Sequence, residues 1–210
     1  MKTNLMTSVF LVSILVSCST LSDVIKPDKL GGDQSPIGEV GNTFSLGLLD
    51  GADGFDAEVV SLDGGVSSIK ASLTITDAKL LEIAKSIPGL TWNGNTAEVT
   101  RKYKITEEGI QNIYDDTNFT LVRYSDEVGD SYSAKHNGDK ITRTIKSKST
   151  EDDYDWSFFN IKVMKIEETG RKIAGVNKIE YIVNHKFSLV GVKVYFEDGS
   201  SKEVLTFSKN

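Results

Sequence analysis

The sequence predicts a mainly β fold of the α+β kind, an antiparallel meander curled into an open barrel or sandwich. Three observations carry this. Apolar and polar residues alternate with period two, as in Ile69-Lys70-Ala71-Ser72-Leu73-Thr74-Ile75, the mark of a half-buried strand. Tight-turn pairs recur between such runs: Asp63-Gly64, Asn137-Gly138 and Asp198-Gly199. Only two segments, 78–87 and 107–114, carry helical spacing. Strands joined in succession by short turns form meanders, and curling the sheet protects its edges.

The elements follow in order. A Gly/Asp-rich segment, Asp50-Gly51-Ala52-Asp53-Gly54-Phe55-Asp56, precedes a strand near 58–62. The alternating run at 69–75 is next. Asp77 then caps a helix over 78–87, where Leu80, Ile83, Ala84 and Ile87 fall on one face and Pro88-Gly89 stops the chain. A second helix is predicted over 107–114. Thr106 would cap it, and Ile105 and Ile110 stand where a hydrophobic staple places them. From Asn118 onward the chain reads as β. Strands are predicted at 119–124, 131–136 and 140–147, the last two joined by Asn137-Gly138. A two-residue loop there pairs Ala134 with Ile141 and Tyr132 with Arg143. The run 156–166 reads as one long strand with both faces apolar. Strands at 178–183, 187–197 and 204–207 complete the set. A three-residue loop at Asp198-Gly199 would set Val194 opposite Val204, keeping both on the buried side.

The N-terminus has a different character. Lys2 is the only charge before Asp23, and an apolar stretch runs from Leu5 to Val16. That is too short for a bilayer core, which needs about 20 residues, but it suits a signal peptide. Leu15-Val16-Ser17-Cys18 resembles the lipobox of bacterial lipoprotein precursors. The resemblance implies cleavage between Ser17 and Cys18 and acyl chains, palmitate among them, on Cys18. It predicts a signal peptide over 1–17, a lipidated cysteine and flexible tether over 18–42, and one β-rich domain over 43–210. The partner so implied is a membrane, reached through the lipid. Ser19 is not the Asp that holds many such proteins at the inner membrane, so the expected location is the outer membrane, on either face. Within the domain, Val128-Gly129-Asp130-Ser131-Tyr132, with Tyr181 and Phe187-Ser188-Leu189-Val190-Gly191, resembles a pattern in exported β-meander lipoproteins of unassigned function. There a V-G-D-x-W/Y opens a hairpin, and Gly usually stands at the position of Ser188.

Composition narrows the function classes. The chain holds 24 Lys and Arg against 30 Asp and Glu, a formal charge of −6. With a pI near 5.0, it is a poor partner for nucleic acid or anionic headgroups. Cys18 is the single cysteine, so no disulfide framework exists. His136 and His185 are far apart in sequence and read as turn residues, so no metal site and no Cys/His nucleophile is expected. No nucleophile-elbow, phosphate-loop or dinucleotide motif occurs, and neither a catalytic residue nor a cofactor is assigned.

Three readings remain from different classes. The leading one is a non-enzymatic envelope lipoprotein, a binding or scaffold module whose curled sheet holds an apolar or lipid-like ligand. The second is a surface module for carbohydrate or protein, with Trp92 beside Asn93-Gly94 and the acidic loops as contacts. The third is a carboxylate-dependent hydrolase, which requires Asp53, Asp56, Asp152, Asp153 or Asp155 to converge in one cleft.

Overall fold

The structure, a computed structural model, describes residues 29–209 apart from 86–88, 115–117, 137–138 and 174. Among these residues the chain forms fifteen strands and one α-helix. The first half holds β1 (Thr43–Leu46), β2 (Ala52–Asp63), β3 (Val66–Ile75), helix α1 (Ala78–Lys85), β4 (Thr91–Asn93), β5 (Thr96–Thr106), β6 (Gly109–Ile113) and β7 (Asn118–Arg123). The second half holds β8 (Ser131–His136), β9 (Asp139–Lys148), β10 (Tyr154–Trp156), β11 (Phe159–Ile161), β12 (Met164–Thr169), β13 (Val176–Asn184), β14 (Ser188–Phe196) and β15 (Ser201–Lys209).

Thirteen strands form one sheet in the order β7-β6-β5-β3-β2-β1-β15-β14-β13-β12-β9-β8, with β4 beside β5. All its ladders are antiparallel. The pairing of β1 with β15 joins the two halves of the chain. The sheet curls until its end strands, β7 and β8, nearly meet, giving an almost closed barrel. Phe119 of β7, Ala134 of β8 and Ile141 of β9 form one apolar cluster across that seam. Register follows the alternation seen in the sequence: Ala71 faces Ala57 and Val99 on its two neighbours, and Leu73 faces Ala97. The Asn137-Gly138 hairpin has the expected pairing, Ala134 with Ile141 and Tyr132 with Arg143.

Helix α1 spans Ala78–Lys85, within the expected 78–87; residues 86–88 lie outside the described residues. The carbonyl of Asp77 accepts the Leu81 N–H, as the capping position requires. Leu81 and Ala84 pack on Ile75 and Trp92, at the end of β3.

Four expectations are corrected. The helix predicted over 107–114 is a β-hairpin. Glu107-Glu108 form the turn between β5 and β6, and Ile105 and Ile110 are cross-strand partners. A spacing of five suits a staple and a two-residue hairpin equally. The hairpin wins because β6 pairs on both sides, with β5 and β7. Gly109 admits that packing, since a Cβ there would sit 2.1 Å from the Val122 carbonyl oxygen.

The run 156–166 is not one strand. β10 and β11 make a separate two-stranded hairpin, turning at Ser157-Phe158, and the chain re-enters the main sheet at Met164. This hairpin covers the outer face of β13–β15. Trp156 and Ile161 pack there on Ile182 and Val190, and the Trp156 indole N–H donates to the Thr206 carbonyl at 3.0 Å. Apolar residues on both sides therefore reflect a second layer rather than a central strand.

At the last turn Val194 faces Lys202, and Val204 faces Val192. The three-residue loop is 197–199, one residue earlier than expected. The shift moves the register by two, so the valines keep the predicted face.

The tether predicted over 18–42 does not extend through 29–42. Leu30 and Ile37 are buried. Ser35 N–H donates to the Ile105 carbonyl, and a 3-10 turn at Pro36–Gly38 rests on Ser67, whose hydroxyl donates to the Gly38 carbonyl at 2.6 Å. The Pro/Gly composition marks a bent segment, but two apolar residues suffice to dock it on the barrel. The signal peptide, Ser17 and Cys18 lie outside the described residues.

Candidate functional site

The barrel interior has two contrasting halves. The β8–β9–β12–β13 side is filled: Ile145, Ile166, Ile179 and Val183 pack tightly, together with a buried ionic cluster. Glu168 of β12 has no exposed side-chain surface. It binds Arg143 of β9 at 2.8 Å and Arg171 at 2.5 Å. The Tyr181 hydroxyl donates to it at 3.4 Å. Arg143 reaches across the seam, donating to Asn112 Oδ1 and to the Phe119 and Thr120 carbonyls at 3.0–3.2 Å. Its guanidinium also lies 3.8 Å from the Phe119 ring centre. Burial pushes the Glu168 carboxyl up, but the two arginine charges outweigh it and hold the group below its ordinary value. Burial raises the Tyr181 hydroxyl, so it remains a donor.

The β1–β2–β3–β5 side is less filled. An apolar cavity of about 130 Å³ lies there. Phe44 and Leu46 of β1 and Phe55 and Ala57 of β2 form one wall, and Ile69 of β3 joins them. Tyr103 and Ile105 of β5, Ile110 and Leu121 form the next, with Leu189 and Val192 of β14 opposite. Ser45, Ser188 and Thr206 are the polar exceptions. The sheet explains why these residues meet. Phe44 pairs with Ala57, which pairs with Ala71, so small residues alternate with rings and leave room between them. The 3-10 turn on Ser67 and helix α1 on Ile75 pack near opposite ends of β3, with the cavity between those levels.

The residues singled out by sequence are dispersed. Trp92 sits on β4, half-buried, its ring packed with Leu73 and Ala97 and with Ile75 and Ala84. The Lys85 ammonium lies 6.0 Å from its ring centre. Trp92 thus joins helix to sheet and does not line the cavity. Asp53 and Asp56 are exposed on β2, whereas Asp152, Asp153 and Asp155 are exposed on the connection into β10 and on β10 itself. None of these five lines the cavity. Among the described residues, no three His, Cys, Asp or Glu side chains gather closely enough to hold a metal ion. His185 is exposed in the turn after β13, edge-on to Tyr124 at 6.4 Å. His136 ends β8, opposite Asp139.

The motif Val128-Gly129-Asp130 has a clear local role. Gly129 N–H donates to the Ile145 carbonyl, the Ile145 N–H returns to the Asp130 carbonyl, and the Asp130 carboxylate accepts the Glu127 N–H at 2.9 Å. The motif extends the β8–β9 pairing into the turn. Tyr132 then donates to Asp126, which also accepts the Arg123 N–H, tying the β7–β8 connection together.

Sequence reasoning missed the ionic cluster and the cavity wall. A signal for the first was present. Arg143 lies between Ile141 and Ile145 with period two, and Glu168 follows Met164 and Ile166 in the same way. A charge on an apolar strand face marks a buried partner.

Together these features define a nearly closed antiparallel barrel with an apolar cavity on one side and a charged lock on the other. No family model matches the chain, and no curated protein matches it. A solved structure from Bacteroides fragilis, of a protein put forward as exported and described as having a YmcC-like fold, is 9% identical with a TM-score of 0.43, covering 82% of this chain and 97% of that one. The architecture given above rests on the strand pairing of this chain.

Proposed function

We propose that this protein is an exported, lipid-anchored envelope protein whose barrel binds a small apolar, lipid-like ligand without catalysis. The cavity between Phe44, Phe55, Ile69 and Leu121 is the observation that supports it most. Burial of an alkyl group there gains roughly 25 cal/mol per Å² of apolar surface removed from water. An interior lined by carbon favours chains and rings over sugars, which need several polar partners. The lipobox supports the anchor on Cys18 and, with Ser19 behind it, an outer-membrane location.

The test has two arms. An environment-sensitive apolar fluorophore should bind the wild-type protein and be displaced by medium-chain lipids. Ala57→Phe, which fills the cavity, should weaken binding at least tenfold while the protein stays folded. Failure of the wild type to bind any apolar probe would reject the cavity reading. Metabolic labelling with a clickable fatty acid should mark the wild type and not Cys18→Ala, and an unlabelled wild type would reject the anchor.

A further inference from the structure

Beside the cavity lies a cation with most of its donors unused. Arg101 is on β5 between Val99 and Tyr103, on the strand face that carries both, and it pairs directly with Ile69 of β3. Ile69 and Tyr103 both line the cavity. Directly opposed side chains on neighbouring strands start about 5 Å apart, so Arg101 stands in the cavity wall's own neighbourhood. Its Nη1 donates to the Thr100 carbonyl at 2.9 Å. Its Nε and Nη2 are buried and, among the described residues, have no hydrogen-bond partner.

Those two nitrogens share one edge of the guanidinium, the edge that takes a carboxylate or phosphate with two parallel hydrogen bonds. Arginine cannot escape burial by losing its proton, as a lysine can. A charged fork turned away from water and left without an acceptor is costly, which makes it a place where an anion binds well. Arg143 and Arg171 differ: both pair with Glu168, and Arg143 also donates to Asn112 and to the Phe119 and Thr120 carbonyls.

We infer that the ligand is a single-chain amphiphile with an anionic head, its chain in the cavity and its head on the Nε/Nη2 edge of Arg101. This rests on the cavity reading above and adds the head group to it. The size supports one chain. A cavity of about 130 Å³ is close to the roughly 150 Å³ that holds one benzene, too little for two acyl chains. Arginine's side-chain torsions let the fork follow a head lying between Ile69 and Tyr103.

Three ligands of equal chain length test this: octanoate, octyl phosphate and octanol, titrated calorimetrically into the purified protein. One of the two anions should bind at least tenfold tighter than octanol, and which one identifies the head as carboxylate or phosphate. Arg101→Gln should erase that difference and leave octanol binding unchanged. In the wild type, the Arg101 Nε–H resonance should move on adding the preferred anion and stay still with octanol, a readout that does not depend on any variant folding. Equal affinity for all three ligands, a difference surviving in Arg101→Gln, or an unmoved resonance would overturn the role of Arg101 and leave the cavity reading intact. Binding of none of the three would overturn both.

Discussion

Ser188 opens β14 with φ = 63°, a left-handed conformation that side chains other than glycine adopt at a cost. It is buried beside the cavity and faces Asn184 at the start of the β13–β14 pairing. Asn184 holds the turn, accepting the Lys186 and Phe187 N–H groups at 2.7 and 3.0 Å, so the backbone there is over-determined. The sequence pattern this region resembles has Gly at that position, and the dihedral supplies the reason. Ser188→Gly should therefore raise stability by up to about 1 kcal/mol, the strain released less the added freedom of the unfolded chain. Urea denaturation reads this directly; a destabilised variant would show that the serine side chain contributes more than its backbone costs. Gly191 is the reverse case. A Cβ there would meet the Tyr154 hydroxyl at 2.9 Å, so the hairpin above the sheet depends on a bare backbone below it.

That hairpin, β10–β11, is the element whose reading changed most between sequence and structure. Its residues alternate as a strand should, so pattern alone joins it to β12. The break at Ser157, with φ = 69°, carries no Gly, Pro or Asn to announce it. The packing explains the composition. Trp156 stacks on Phe207 at 5.4 Å and meets Phe187 at 4.7 Å and Phe159 at 5.5 Å, a small aromatic core outside the barrel. Phe158, at the turn, is 95% exposed and takes no part in it. Trp156→Ala should cost about 3–5 kcal/mol, in the range for a buried Trp, and should raise hydrogen exchange first in β10 and β11. Protection lost evenly across the barrel instead would mean that the hairpin is not an independent layer. The turn at Glu107-Glu108 teaches a related lesson. Ile105 and Ile110 suit a staple and a hairpin alike, and only pairing with β7 separates the two.

For the molecule as a whole, the seam between β7 and β8 decides how the barrel closes. Among the described residues it has no continuous ladder, and Arg143 spans it from the inside while Glu168 holds Arg143 in place. Removing the carboxylate charge leaves two arginines facing each other, so Glu168→Gln should cost about 3–5 kcal/mol at pH 7. The pH dependence follows from the lowered carboxyl. A depressed folded-state pKa stabilises the fold above the unfolded value of 4.5 and loses that contribution as pH falls through the folded value. The gap between wild type and Glu168→Gln should thus be constant near neutrality and shrink below about pH 4.5. Paired urea titrations at pH 7 and pH 3 measure it, and a gap unchanged at pH 3 would mean that the charge is not what Glu168 supplies. Much of the fold was legible in the linear chain. Period-two alternation gave the β class and the faces of β3 and β9, because side chains on a strand must alternate whatever lies beyond them. Asn137-Gly138 set a register and Asp77 a helix start, since both act through neighbours in the chain. The lipobox resemblance at Cys18 is local as well, an expectation that falls outside the described residues. What only the tertiary structure decided are relations between distant residues: which strands pair, that 29–42 docks on the barrel, that Arg143 meets Glu168 rather than solvent, and that Phe44, Phe55, Ile69 and Leu121 surround a cavity with Arg101 beside it. Alternation says that a residue faces inward. Whether the space it faces is filled, charged or open depends on the strand across the barrel, and no local pattern carries that information.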